Sequence, residues 1–389
     1  GMVLSERELG LGEDHEGIML LDRGLPVGAP LADVLGETIL MLELQPNRPD
    51  CVGIVGIARE VAALLETKLR EPDGDDLGRK APRGLDVRIE DPEACPRFAA
   101  ARLDGITIGP SPDWMQRRLL AEGMRPISNV VDITNYVMLE LGQPLNAYDL
   151  RDVRGGTLVA RQARAGERIR TLDGVERALP PATLVIADEE RALGIAGVMG
   201  GEDSEIRPDT TNIALECASF EPRDIGRTAT KLEMRGSSGS AAARRFAWEL
   251  SSDLVPIALA RAIALLREHA GATYAGVVDR YPRPRAQADV RLAFGKIGRH
   301  LGIDVPIEDA VRALERLGFT VERGRDALVA RPPVVRTDIA IAEDLIEEIA
   351  RMVGYEKLDT VMPSGPLPVP EAHPLEALRQ VLRRYGRPA

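Results

Sequence analysis

An acidic side chain inside an apolar strand pattern is the residue that most needs a chemical reason. Glu216 lies in the run IALECASF (213–220), where burying a carboxylate is costly unless something donates a hydrogen bond to it. Residue type leaves two readings open: a strand-edge carboxylate facing solvent, or a buried acceptor for a donor such as a phenol hydroxyl. Just upstream, GIAGVMGG (194–201) brings Gly194, Gly197, Gly200 and Gly201 together. Glycines make plain turns, and they also let a backbone approach a ligand closely. Thr134 and Asn135, in the helix-like DITNYVMLE, offer a hydroxyl and an amide. Those groups suit a substrate ammonium, a carbonyl or a water, and equally suit capping or packing a helix. In RTDIAIAEDLIEEIA, Asp344, Glu347 and Glu348 recur at i, i+3 and i+4 on one helix face, with Asp338 just ahead. Hard carboxylates so grouped suit Mg²⁺ if a partner covers them; uncovered, they form a solvated acidic helix.

Other chemistries are excluded by what the sequence lacks. Cys51, Cys95 and Cys217 are widely separated, and His15, His269, His300 and His373 stand near none of them at a metal-ligand spacing. There is no Walker motif, GxSxG elbow or HExxH, and no Ser-His-Asp or Cys-His arrangement to supply a protein nucleophile. A net charge of -11 repels a polyanion overall, so contact with RNA must use local basic patches. No apolar run approaches the ~18 residues of a membrane span, and GMVLSERELG lacks the character of a signal peptide. The expectation is a cytoplasmic protein.

The elements that must position these residues divide a 389-residue chain into more than one core. Residues 1–80 read as short strands, at 17–22 and 37–44, then a helix over 52–65 with Asp50 or Cys51 near its N-cap, then a Gly/Pro/charge-rich linker from 67. Residues 81–285 mix strands (98–103, 156–160, 183–187, 212–216) with helices (112–122, 129–140, 252–269), and Leu172-Asp173-Gly174 signals a hairpin. Residues 286–362 predict helices over 292–301 and 307–317, a hairpin from 319–322 and 327–330, and a helix over 341–353, a compact winged-helix-like unit. Residues 363–389 are a Pro-rich linker and the start of one more helix, as though a further module had been cut away. The fold class is α+β and multidomain.

Four segments, in this order, carry a resemblance: LELQPNRPDCVGIVGIAREVAAL, RPISNVVDITNYVMLELGQPLNAYDL, GIAGVMGGEDSEI with IALECASFEP, and RTDIAIAEDLIEEIARMVGYEKL. Together they resemble the β subunit of bacterial phenylalanyl-tRNA synthetase over essentially the whole chain. The resemblance implies the end of an oligonucleotide-binding region, an editing domain and a winged-helix-like domain. It implies hydrolysis of tyrosine mischarged onto phenylalanine tRNA, with aminoacylation left to an α subunit in an α2β2 assembly. It implies ATP used by the whole enzyme but not bound by this stretch, and Mg²⁺ shared with the α subunit through Asp338, Asp344, Glu347 and Glu348. The alternative is an inert pocket in a scaffold that supports assembly and tRNA positioning.

By the same resemblance Glu216 reads the tyrosine hydroxyl, Gly197 and Gly200 line the amino-acid pocket, and Thr134 and Asn135 are pocket residues near the chemistry. A site that accepts phenylalanine rejects an added hydroxyl poorly, so a second, hydrolytic sieve is a physical solution. Two departures bear on the hydrolytic side. GQPLNAYDL has Asn146 where the family's QPxHAFDL has histidine, and asparagine cannot serve as a general base. An insertion, Gly236–Gly239, precedes Ser240 and Ala242, which align with pocket-lining positions.

Overall fold

The computed structural model describes residues 3–9, 15–21, 23–36, 38–78, 80–234, 240–358, 360, 365 and 374–385. The Gly236–Gly239 insertion lies outside them. In the leading segment a short helix α1 (Leu31–Leu35) precedes α2 (Ile54–Leu64). Residues 38–44, expected as a strand, have no ladder partner, and Ile39, Leu40, Met41 and Leu42 are exposed. The N-cap of α2 is Gly53, not Asp50 or Cys51, because the 3-10 turn Pro49–Val52 intervenes and Asp50 is bound instead by Arg48 through two bonds of 3.0 and 2.9 Å.

Two sheets form the large central unit. In one, β1 (Asp86–Ile89), β4 (Thr157–Gln162), β7 (Leu184–Ala187), β8 (Ala192–Ile195) and β9 (Met199–Gly200) lie side by side in that order, with only the β1–β4 pair parallel. In the other, antiparallel throughout, the order is β11 (Thr273–Arg280), β2 (Arg97–Asp104), β10 (Asn212–Ser219) and β3 (Leu145–Asp149). A hairpin of β5 (Arg168–Arg170) and β6 (Glu176–Ala178) turns at Gly174, whose φ of +74° is the left-handed conformation expected there.

Strand alternation splits the core in two. Ile213, Leu215 and Cys217 of β10 join a cluster with helices α3 (Asp113–Ala121), α4 (Asn129–Leu141) and α7 (Leu254–Ala270). Ala214 and Ala218 face the opposite way and join Leu158, Ile186 and Ile195 of the other sheet. Helices α5 (Pro222–Lys231) and α6 (Ala241–Phe246) close the end of this inter-sheet core, to which Ile225 and Phe246 contribute.

The second unit contains β12 (Val290–Ala293), α8 (Phe294–Leu301), α9 (Ile307–Arg316), β13 (Thr320–Arg323), β14 (Ala327–Arg331) and α10 (Ala342–Val353), with a three-stranded sheet in the order β12-β14-β13. Leu292 and Ala293, expected at the start of a helix, belong to β12: Val290 pairs Ala330 and Leu292 pairs Leu328, and both members of each pair are buried. Ala63 of α2 packs into this same core. A last helix, α11 (Pro374–Tyr385), exposes Leu375, Leu378, Val381, Leu382 and Tyr385. The architecture is α+β.

Candidate functional site

Because Glu216 shares its strand face with Ala214 and Ala218, its carboxylate enters the space between the sheets and not the solvent. It is 6 % exposed. On β3 the same face carries Asn146, directly across from Glu216, and Tyr148, across from Ala214. The Tyr148 hydroxyl donates to Glu216 Oε2 at 2.5 Å. Burial pushes the Glu216 carboxyl up to about 7, against the opposing effect of bonds from Tyr148 and Asn146.

These groups form one wall of a cavity of about 440 Å³. Opposite stands the loop 194–200, where Gly197 has φ +65° and a Cβ would come 3.0 Å from carbons of Ile225, Phe220 and Phe246. A Cβ at Gly200 would meet only Leu172, at 3.2 Å. Phe220 and Phe246 also line the space, their rings 4.9 Å apart in an edge-to-face arrangement. An apolar, aromatic-walled chamber with one buried carboxyl is a receptor for an aromatic ring that bears a hydrogen-bond donor.

Ser240 and Ala242 both border the cavity. Ser240 caps α6, accepting from Ala243 N at 3.0 Å, and donates to the Val198 carbonyl at 2.6 Å, so its hydroxyl ties the glycine loop to the helix. Asn135 reaches the cavity and Thr134 does not. Successive helix residues point about 100° apart, and the Thr134 hydroxyl donates to Val131 O at 2.7 Å. Among the described residues no histidine lines the cavity, and burial pushes the neighbouring thiols of Cys95 and Cys217 up, away from thiolate chemistry.

The four carboxylates of the last helix region are not gathered. Arg336, 2 % exposed, bonds Asp338 through both oxygens at 2.9 and 2.7 Å and reaches Glu348 at 2.9 Å. Although burial opposes it, Arg336 and then Arg351 hold the Glu348 carboxyl below its ordinary range. Asp344 accepts two backbone N–H bonds, from Ala340 and Ile341, each at 2.8 Å, and Glu347 is exposed. The shared helix face straddles the boundary between core and solvent, which helical spacing alone does not reveal. The one group of three ligating side chains among the described residues is Asp50, Cys51 and Glu60, and there Arg48 already binds both carboxylates. Neither set, arranged this way, fits a magnesium ion.

Tyr148 was not singled out from the sequence. Its signal was present in GQPLNAYDL, where tyrosine replaces the phenylalanine of QPxHAFDL two residues after Asn146.

Two domain families match the chain: the B3/4 domain over residues 94–271, which contains the cavity, and the tRNA synthetase B5 domain over 290–355, the second unit. The second of these descriptions points to an aminoacyl-tRNA synthetase. Proteins named phenylalanine-tRNA ligase beta subunit align along nearly the whole chain. That of Geobacter sulfurreducens is 43% identical over 93% of this chain and 46% of its own length; that of Anaeromyxobacter dehalogenans is 44% identical over 99% and 49%. That of Salinibacter ruber is 40% identical over 100% and 47%. The chain belongs to the phenylalanine-tRNA ligase beta subunit family and spans about half the length of these relatives. A solved N-terminal fragment of the Pyrococcus horikoshii phenylalanyl-tRNA synthetase beta subunit superposes with a TM-score of 0.43 at 15% identity, over 80% of this chain and 85% of that one, too loosely to bear on the site.

Proposed function

We propose that the inter-sheet cavity is an editing site that hydrolyses tyrosine mischarged onto phenylalanine tRNA. One observation carries the reading: a buried carboxyl at the wall of a chamber lined mainly by aromatic, aliphatic and glycine residues, with Asn135, Asn146, Asp173 and Ser240 as its other polar groups. A hydrogen bond from a ligand phenol to a charged acceptor is worth about 1.5–3 kcal/mol, a preference of about ten- to hundred-fold over phenylalanine. The Ser240 hydroxyl at the edge of the chamber donates to the Val198 carbonyl and not to a base, so catalysis is positional. Gly197 and Gly200 admit the ring, and Glu216 reads its hydroxyl. Asn135 and Asn146 orient a water and the ester, and the tRNA ribose hydroxyl assists at the carbonyl. Aminoacylation, with its ATP and Mg²⁺, belongs to the whole ligase with its α subunit, in the cytoplasm; no helix among the described residues is long and apolar enough to cross a membrane.

The test is release of amino acid from tyrosyl- and phenylalanyl-tRNA by the purified protein. Tyrosine is released faster, and Glu216→Ala removes the preference. Equal release from both esters overturns the assignment. A scaffold with an inert pocket is favoured by one feature, the absence of a general base at Asn146, and no release from either ester selects it.

A further inference from the structure

Glu216 already has a phenol bound to it, and the phenol is the protein's own. Tyr148 is 2 % exposed, its hydroxyl lies 2.5 Å from Glu216 Oε2, and the two side chains come from adjacent strands whose register fixes them on the same face. A carboxylate offers about four lone-pair sites, so two internal donors, Tyr148 and Asn146, still leave room for a donor on a ligand. We propose that Tyr148 is a specificity-setting positioning residue: its hydroxyl holds one oxygen of Glu216 and so determines whether the carboxylate is fit to accept a hydroxyl from a bound aromatic ligand. This rests on the editing reading for the identity of the ligand, but the coupling of the two side chains does not.

The surroundings leave the pair largely to itself. From β3 it meets Asn146; Cys95 and Cys217 sit nearby as neutral thiols. The five-stranded sheet contributes Ile186, Ile195 and glycines, and α6 contributes Phe246. Among the described residues the one other carboxylate lining the cavity, Asp173, is bound by Arg177 at 2.7 Å. Among the described residues of these elements no cation faces Glu216, so hydrogen bonds are what favours its ionised form. The Tyr148 proton stays on the phenol, whose own ionisation burial and then Glu216 oppose. Near neutrality the carboxyl is therefore close to half ionised, and losing the Tyr148 hydroxyl moves its titration about one to two pH units upward.

The experiment compares the unaltered protein with Tyr148→Phe across pH 6 to 9. It measures the ratio of tyrosine to phenylalanine release from the two charged tRNAs, and the infrared band of the protonated buried carboxyl, assigned by its loss in Glu216→Gln. In the unaltered protein both change with a midpoint near 7. In Tyr148→Phe the release ratio at pH 7 falls about fivefold or more and recovers about one to two pH units higher, with the infrared midpoint moving equally. A ring-fluorinated tyrosine at 148, a stronger donor of the same shape, moves the midpoint down, and serves if the phenylalanine variant does not fold. An infrared midpoint unmoved by either replacement overturns the proposal. If the unaltered protein releases both amino acids equally at every pH, the editing reading fails, and the infrared midpoints still decide whether Tyr148 sets Glu216.

Discussion

Replacing Glu216 by glutamine removes a buried titrating carboxyl from the inter-sheet face while keeping its shape. In the unfolded chain this carboxyl titrates at its ordinary 4.5, and in the folded protein at about 7, because burial disfavours the charge. The folded form thus binds the proton more tightly. The resulting contribution to stability is fully present below 4.5 and is lost as the pH rises through 7. Integrated from pH 5 to pH 8, the loss is about 2.5 kcal/mol. Glutamine has no such term. Its amide NH₂ needs an acceptor that the carboxylate did not, which costs about 1–3 kcal/mol but does so equally at every pH. Urea unfolding followed by tryptophan fluorescence, from Trp114, packed edge-on to Tyr136, and from Trp248, supplies the stabilities. The difference between unaltered and Glu216→Gln proteins should fall by about 2.5 kcal/mol between pH 5 and pH 8. A difference constant within about 0.5 kcal/mol across that range would mean that water reaches the carboxyl, and the account of the cavity would be wrong.

Alanine at the two cavity glycines separates conformation from space. Gly197→Ala must hold a left-handed backbone and push three side chains, so it lowers stability by about 1–3 kcal/mol in the same urea assay. Gly200→Ala meets only the half-exposed Leu172, leaves stability within about 0.5 kcal/mol and narrows the chamber, slowing release from both charged tRNAs. Arg336→Ala leaves Asp338 and Glu348 without their shared counter-ion and costs about 3–5 kcal/mol by urea unfolding. Pairing it with Glu348→Gln restores part of that loss, and a cost under about 1 kcal/mol for the single change would mean the pair is solvated.

The helices α3, α4 and α7 were legible because each keeps its apolar residues on one stripe over several turns, and β10 because its apolar run is long. Strand β3 was not. Three of its five residues, Leu145, Asn146 and Tyr148, line the cavity, two of them polar, so LNAYD lacks the apolar alternation of a core strand; the polarity that suits the site hides the strand. In β12 a four-residue strand runs directly into α8, and its apolar residues were absorbed into the helical pattern. Glu216 stood out because a carboxylate in an apolar strand is unusual. Tyr148 did not, since tyrosine is ordinary in strands and its partner lies 68 residues away. Spacing puts the acidic residues of α10 on one face, but it carries no information about burial or about counter-ions from elsewhere. Arg336 comes from the loop before that helix, and Glu60 and Arg48 from a helix region near the other end of the chain.

That last connection bears on how the molecule is made. The side chains run in an unbroken chain of ion pairs from Asp50 through Arg48, Glu60, Arg351, Glu348 and Arg336 to Asp338, and Glu60 and Arg351 are 291 residues apart. On a ribosome adding about 5–20 residues per second, α2 emerges about 15–60 seconds before the arginine that Glu60 awaits. Helix α2 packs on α4 early and gains its last ion-pair partner only when α10 has been made. Until the second unit arrives, Glu60 has Arg48 but not Arg351, and Ala63 lacks the core it packs into, so one side of the helix stays uncovered while most of the chain is made.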